Sequence, residues 1–106
     1  MSEVKICGIS TLADYLHCAA CNVDYVGFVF FEKSPRHLSF EAARHLATEA
    51  DSSLKDSMKQ VPQRVALSVN ADDETLEQII QAARPDILQL HGHESPERTY
   101  HIKQTF

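Results

Sequence analysis

Four short apolar runs, each followed by a stretch of helical periodicity, alternate along the chain and limit its possible folds more than any other feature. Val4 to Cys7 has the character of a short buried strand. From Thr11 to Cys21, residues Leu12, Tyr15, Leu16, Ala19 and Ala20 fall at the i, i+3, i+4, i+7, i+8 spacing of an amphipathic helix. Ser10 or Thr11 caps that helix, with Asp14 near the positive end of its dipole. Asp24 to Phe31 is a continuous β-branched and aromatic run, the pattern of a strand covered on both faces. Ser39 caps a second helix carrying Phe40, Ala43, Leu46, Ala47 and Ala50 on one side, and the polar segment Asp51 to Gln60 either extends it or loops out. Arg64 to Val69 is a third strand. Asp72 or Asp73 then starts a helix carrying Leu76, Ile79, Ile80 and Ala83. Arg84-Pro85 ends it, because the proline ring disfavours helix at the preceding residue. Asp86 to Leu90 is a fourth strand, and Ser95-Pro96 supplies a cap followed by proline at the first helical position.

Strands alternating with helices at this spacing imply an α/β fold with a parallel sheet and right-handed crossovers. The sheet is either open or part of a closed barrel. A length of 106 residues bounds the chain to one domain with a single modest core. Its hydrophobic share of 43% and charged share of 24% are ordinary for a soluble protein. A net charge of −5 without a Lys/Arg run argues against nucleic-acid binding. The longest apolar run, Val26 to Phe31, is interrupted by Gly27 and falls far short of a membrane span. Met-Ser-Glu-Val-Lys lacks the charged lead and long apolar stretch of a signal peptide. Three cysteines without framework spacing suit a reducing compartment. The expectation is a cytoplasmic domain with neither nucleic-acid nor membrane partners.

The polar and special residues gather after the strands. Cys7-Gly8 follows the first, Lys33-Ser34-Pro35-Arg36 the second, Asn70 the third and His91-Gly92-His93-Glu94 the fourth. The C-terminal ends of parallel strands are where both barrels and open α/β sheets place ligands. Cys7 is either a small buried hydrophobe or, if it points into a cleft, a base or nucleophile. Gln89 and His91 alternate with Leu88 and Leu90. They face a bound molecule in the interior, or His91 is simply a hydrogen-bonded rim histidine.

Two metal or redox readings are weaker. Cys18-Ala-Ala-Cys21, beside His17, has no second pair to complete a zinc site. It also lies at a helix C-terminus, where the dipole disfavours a thiolate. Both cysteines fall away from the Leu12/Leu16 stripe and are expected to be partly exposed. His91-x-His93 with Glu94 could begin a metal site on an extended segment, but the ligand count falls short there too.

Taken together, K-I-C-G-I-S, Y-V-G-F-V-F-F-E-K-S-P-R, S-V-N and L-Q-L-H-G-H-E-S-P-E resemble the first half of the phosphoribosylanthranilate isomerase family of tryptophan biosynthesis. The resemblance covers the whole chain in order, except the longer polar stretch from Asp51 to Gln60. It implies the N-terminal half of a (β/α)8 TIM barrel. The implied reaction is an Amadori rearrangement of N-(5-phosphoribosyl)anthranilate, an aminoaldose becoming an aminoketose, with no metal or cofactor. By resemblance, Cys7 is the general base that removes the proton beside the imine, and Arg36 holds the anthranilate carboxylate, with Gln89 and His91 as further substrate-binding candidates. These residue types suit the chemistry. A thiolate accepts an acidified C–H proton, and a guanidinium forks onto a planar carboxylate.

The chain departs from the family at His93, where aspartate is usual, and along Ala66-Leu67-Ser68-Val69, where a glycine and a phenylalanine are usual. A full barrel needs about 200 residues or more. The family's general acid lies beyond a fifth strand, and its phosphate site is built by the last two βα loops. The 106 residues alone are therefore expected to be inactive, awaiting a complementing second-half chain or self-associating. The alternative is a non-catalytic half-barrel remnant or assembly domain. With edges unpaired, Val4, Ile6, Val26, Phe28, Val65, Leu67 and Leu88 are expected to form or flank an exposed surface. Self-association or rearrangement to an open flavodoxin-like sheet would follow.

Overall fold

Each apolar run becomes a strand and each periodic stretch a helix. The computed structural model describes residues 2–57 and 60–106. Its elements are β1 (Lys5–Cys7), α1 (Leu12–Ala20), β2 (Tyr25–Val29), α2 (Phe40–Leu54), β3 (Gln63–Ser68), α3 (Asp73–Ala83), β4 (Ile87–Leu90) and α4 (Pro96–Thr105). The four strands are parallel and lie in the order β1-β2-β3-β4. This consecutive order corrects the flavodoxin-like expectation, which requires the order to reverse at a switch point. Caps set the helix starts. The side chains of Thr11, Ser39, Asp72 and Ser95 accept from the amides of Asp14, Ala42, Thr75 and Arg98. α3 stops at Arg84, whose left-handed backbone (φ 47°) lets its amide donate to Ile80 O just before Pro85.

The sheet is strongly curled. Neighbouring strands lie about 4.8 Å apart, so a flat sheet would separate β1 from β4 by about 14 Å. Lys5 on β1 nevertheless donates through Nζ to Gln89 Oε1 on β4. The concave face thus formed carries Lys5, Tyr25, Val65, Ile87 and Gln89, around a hollow of about 280 Å³.

The other face packs on the helices. Val26 and Phe28 are 0% exposed, beneath Tyr15, Ala43, Leu46 and Ala47 of α1 and α2. The Tyr15 ring meets Phe28 edge-on at 6.1 Å. A second cluster of Ala66, Leu76, Ile79 and Ile102 joins the first through Phe30 and Phe40, whose rings stack at 6.0 Å. The expectation that Val26 and Phe28 flank an exposed surface is therefore wrong. Alternate strand residues face opposite sides, and these two face the helices.

β1 is also not the buried strand expected. Ile6 is 39% exposed and Cys7 is exposed, because this edge strand has a neighbour on one side only. Cys18 is buried rather than partly exposed. α1 turns Tyr15, Cys18 and Ala19 into the core and leaves Leu16 half-buried, so its stripe is rotated towards the bulkier Tyr15.

The polar segment after Ala50 stays helical as far as Leu54, and residues 58 and 59 lie outside the described residues. Its first residue, Asp51, is anchored by the buried Arg64 of β3. Arg64 Nε donates to Ala83 O at 2.6 Å. Its Nη1 donates to Tyr15 Oη at 3.0 Å and to Asp51 Oδ1 at 3.2 Å. Arg84 adds a second contact to Asp51 at 2.8 Å. Burial disfavours the Asp51 anion, but the two guanidiniums outweigh it and hold the carboxyl below the usual range. The Tyr15 hydroxyl is pushed up by burial, against the pull of Arg64.

Ser68, on β3, is 1% exposed, and its hydroxyl has no hydrogen-bond partner among the described residues. A buried donor left unpaired costs about 1–3 kcal/mol. Ser68→Ala is therefore expected to stabilise the fold by about 1 kcal/mol, raising Tm by roughly 4–8 °C in thermal denaturation. A lower Tm would show that the hydroxyl is satisfied.

Candidate functional site

The site forms where β1 ends. The amides of Gly8 and Ile9 both donate to Gly27 O, at 2.9 and 3.0 Å, which turns the chain sharply after Cys7. Gly8 takes φ +81° to make that turn, a conformation that favours glycine. Cys7 is in register with Gly27 on β2. A methyl group at Gly27 would stand 3.2 Å from Cys7 Sγ and 3.3 Å from Lys5 Cε, so the missing side chain makes room for both.

Arg36 reaches the same strand end from the loop after β2. Its amide donates to Ser34 Oγ at 3.2 Å, and Leu38 N returns the chain to Val29 O at 2.8 Å. Its side chain then lies over Gly8, where a methyl group would stand 2.5 Å from Arg36 Cδ and 3.4 Å from Nη1. A side chain at position 8 would displace the guanidinium. Cys7 and Arg36, nearly thirty residues apart in sequence, are thus neighbours across one glycine.

Gln89 lies half-buried on the concave face and accepts from Lys5. His91 is exposed just beyond β4, with its amide donating to Ser68 O at 2.8 Å. Among the described residues, no hydrogen bond joins its ring to Cys7, Arg36 or Gln89.

The loops after β3 and β4 are clasped together. Asn70, at φ 51°, accepts from His93 N at 2.7 Å through Oδ1. The Glu94 carboxylate accepts from Asn70 N and Gly92 N, each at 2.9 Å. Gly92 lies against this clasp, where a methyl group would meet Asn70 Oδ1 at 2.5 Å. Glu94 therefore serves the backbone. Among the described residues, no three His, Cys, Asp or Glu side chains converge as metal ligands. Cys21 lies 3.7 Å from His17 on the surface, whereas Cys18 is buried, so the C-x-x-C thiols differ in accessibility. Burial, followed by the nearby Asp14, raises the Cys18 thiol.

Sequence reasoning missed Lys5 and the Asn70–Glu94 clasp. The signal for Lys5 was present, since residues two apart on a strand share a face and Lys5 precedes Cys7 by two. The clasp joins residues of two loops and leaves no local pattern.

The family model for N-(5'-phosphoribosyl)anthranilate isomerase matches residues 4–106. The isomerase of Parvibaculum lavamentivorans is 47% identical over 104 residues, covering 98% of this chain and 45% of that relative. The isomerase of Nitrobacter hamburgensis is 48% identical over 103 residues, covering 97% of this chain and 42% of its own length. The crystal structure of phosphoribosyl anthranilate isomerase from Thermotoga maritima superposes with a TM-score of 0.84 at 34% identity, over 100% of this chain and 48% of that one. A phosphoribosyl anthranilate isomerase in complex with reduced 1-(o-carboxyphenylamino)-1-deoxyribulose 5-phosphate superposes with a TM-score of 0.82 at 34% identity, over 98% of this chain and 50% of that one. The chain spans somewhat under half the length of these curated relatives. Because sequence and backbone agree through all four βα units, with Cys7 and Arg36 set at the shared strand end, this chain belongs to the N-(5'-phosphoribosyl)anthranilate isomerase family.

Proposed function

We propose that these 106 residues are one domain supplying the first four βα units of a cytoplasmic phosphoribosylanthranilate isomerase. Strands five to eight, completing the ring, would pair with the open edges of β1 and β4. The observation that carries this reading is the placement of Cys7 Sγ over Gly27 with Arg36 laid across Gly8 beside it. A planar carboxylate on the guanidinium would set the rest of an anthranilate conjugate over the sulfur. The thiolate then takes the proton from the sugar carbon next to the imine. The C–H bond breaks, an S–H bond forms, and the electron pair makes a C=C bond as the protonated imine becomes an amine. The enaminol then takes a proton at the former imine carbon and loses its hydroxyl proton to give the ketone. Gln89 and His91 would contact the sugar portion of the substrate.

The test is protection of thiols against iodoacetamide, read by peptide mass spectrometry. Reduced 1-(o-carboxyphenylamino)-1-deoxyribulose 5-phosphate, at millimolar concentration, should slow alkylation of Cys7 several-fold and leave the exposed Cys21 unchanged. Equal effects on both thiols, or none on Cys7, would remove the case for a substrate site here.

A further inference from the structure

Among the described residues, Lys5 is the one cation on the concave face that the family resemblance leaves without a role. It shares a strand face with Cys7, and the two side chains crowd one point, with Sγ 3.2 Å and Lys5 Cε 3.3 Å from where a Gly27 methyl would stand. An ammonium has three donors. Gln89 Oε1 takes one, and the others have no partner among the described residues. β3 and β4 face this hollow with Val65, Ile87, Leu88 and Gln89, none of them titratable. Tyr25 on β2 donates its hydroxyl to Glu3, and His91 is exposed beyond β4. Arg36 is the remaining charge, and it lies across Gly8.

We infer that Lys5 is the counter-charge of the site, its ammonium facing the anionic sulfur that Cys7 must present to act as a base. This rests on the reading of Cys7 as that base. Gln89 holds the ammonium on the concave face while the sulfur is neutral. When the thiol gives its proton to solvent, the free N–H groups face an anion at the exposed end of β1, beside the same point over Gly27. Lys5 is thus a positioning residue that acts through Cys7.

The measurement is the rate of Cys7 alkylation by iodoacetamide as a function of pH in the 106-residue chain. Cys21 is the internal control, and thermal melts report folding. Lys5→Met is expected to slow Cys7 alkylation at neutral pH by about tenfold, the scale of one nearby charge. Cys21 should be unaffected. Lys5→Arg should restore most of the rate. Gln89→Leu, which removes the anchor and keeps the charge, should leave the rate near wild type. If Lys5→Met does not fold, Lys5→Gln carries the same test with a polar side chain.

An unchanged rate in the neutral variants would overturn the inference. So would a loss in Gln89→Leu equal to that in Lys5→Met, which would make the pair a strut. A loss confined to Arg36→Leu would give the role to Arg36 instead. Each of these outcomes leaves Cys7 as base intact, since that reading is tested separately by ligand protection and by turnover.

Discussion

Cys7→Ala is expected to lower phosphoribosylanthranilate turnover by about 10²–10⁴-fold, the contribution of one general base. The assay combines the 106-residue chain with the C-terminal part of a relative such as the Thermotoga maritima isomerase. Alanine leaves no proton acceptor over Gly27, and water entering that space is a far weaker base than a thiolate. The loss should fall mainly on kcat, because the substitution leaves the proposed carboxylate clamp, Arg36, in place. The 106 residues alone should show no measurable turnover. Opening the sugar ring needs an acid at the ring oxygen, and the phosphate supplies binding energy that positions the reacting atoms. By the family resemblance, both of those groups are expected on later strands. Wild-type turnover in Cys7→Ala would remove the base assignment. Robust turnover by the 106 residues alone would require an acid within these four units, with His91 and His93 the first to substitute.

Phe28→Ala is expected to cost about 3–5 kcal/mol, the usual range for truncating a fully buried aromatic. Phe28 is buried at the centre of the helix-facing side of β2. It meets Tyr15 edge-on and lies 5.9 Å from the Arg64 guanidinium carbon, so its removal opens a cavity beside a buried charge. Domains of this size are stable by only about 5–15 kcal/mol, so the variant should lose a large part of its urea resistance. Tyr100→Ala is the comparison. Tyr100 is 66% exposed on α4, and its loss should change stability by no more than about 0.5 kcal/mol. Similar urea midpoints for the two variants would show that the core is not centred on Phe28.

The element order and most boundaries were legible because they rest on local chemistry. Ser39 and Ser95 cap the helices they precede, and Arg84-Pro85 stops α3. What misled was facing. Phe28 and Val26 belong to a continuous apolar run, and such a run does not say which residues meet the helices and which meet the hollow. Cys18 was misplaced because a helical stripe is drawn from hydrophobicity alone, while packing selected the larger Tyr15 and the small thiol beside it. At the candidate site, the motifs singled out Cys7 and Arg36, and the structure places both at the end of β1. Lys5 was legible only in its shared strand face with Cys7, because its contact with Gln89 joins it to a partner far along the chain.

The sequence by itself determined four βα units, their caps, and the gathering of polar residues after each strand. These follow from side-chain period, capping chemistry and backbone restriction at proline and glycine, all of which act within a few residues. The tertiary structure alone decided the curl that brings Lys5 to Gln89 and the burial of Arg64 against Asp51 and Tyr15. It also decided the passage of Arg36 over Gly8 and the clasp of Glu94 on the amides of Asn70 and Gly92. Each of these joins residues from different elements. The sheet's curvature and the packing of helices on it set their distances, and no local pattern records either.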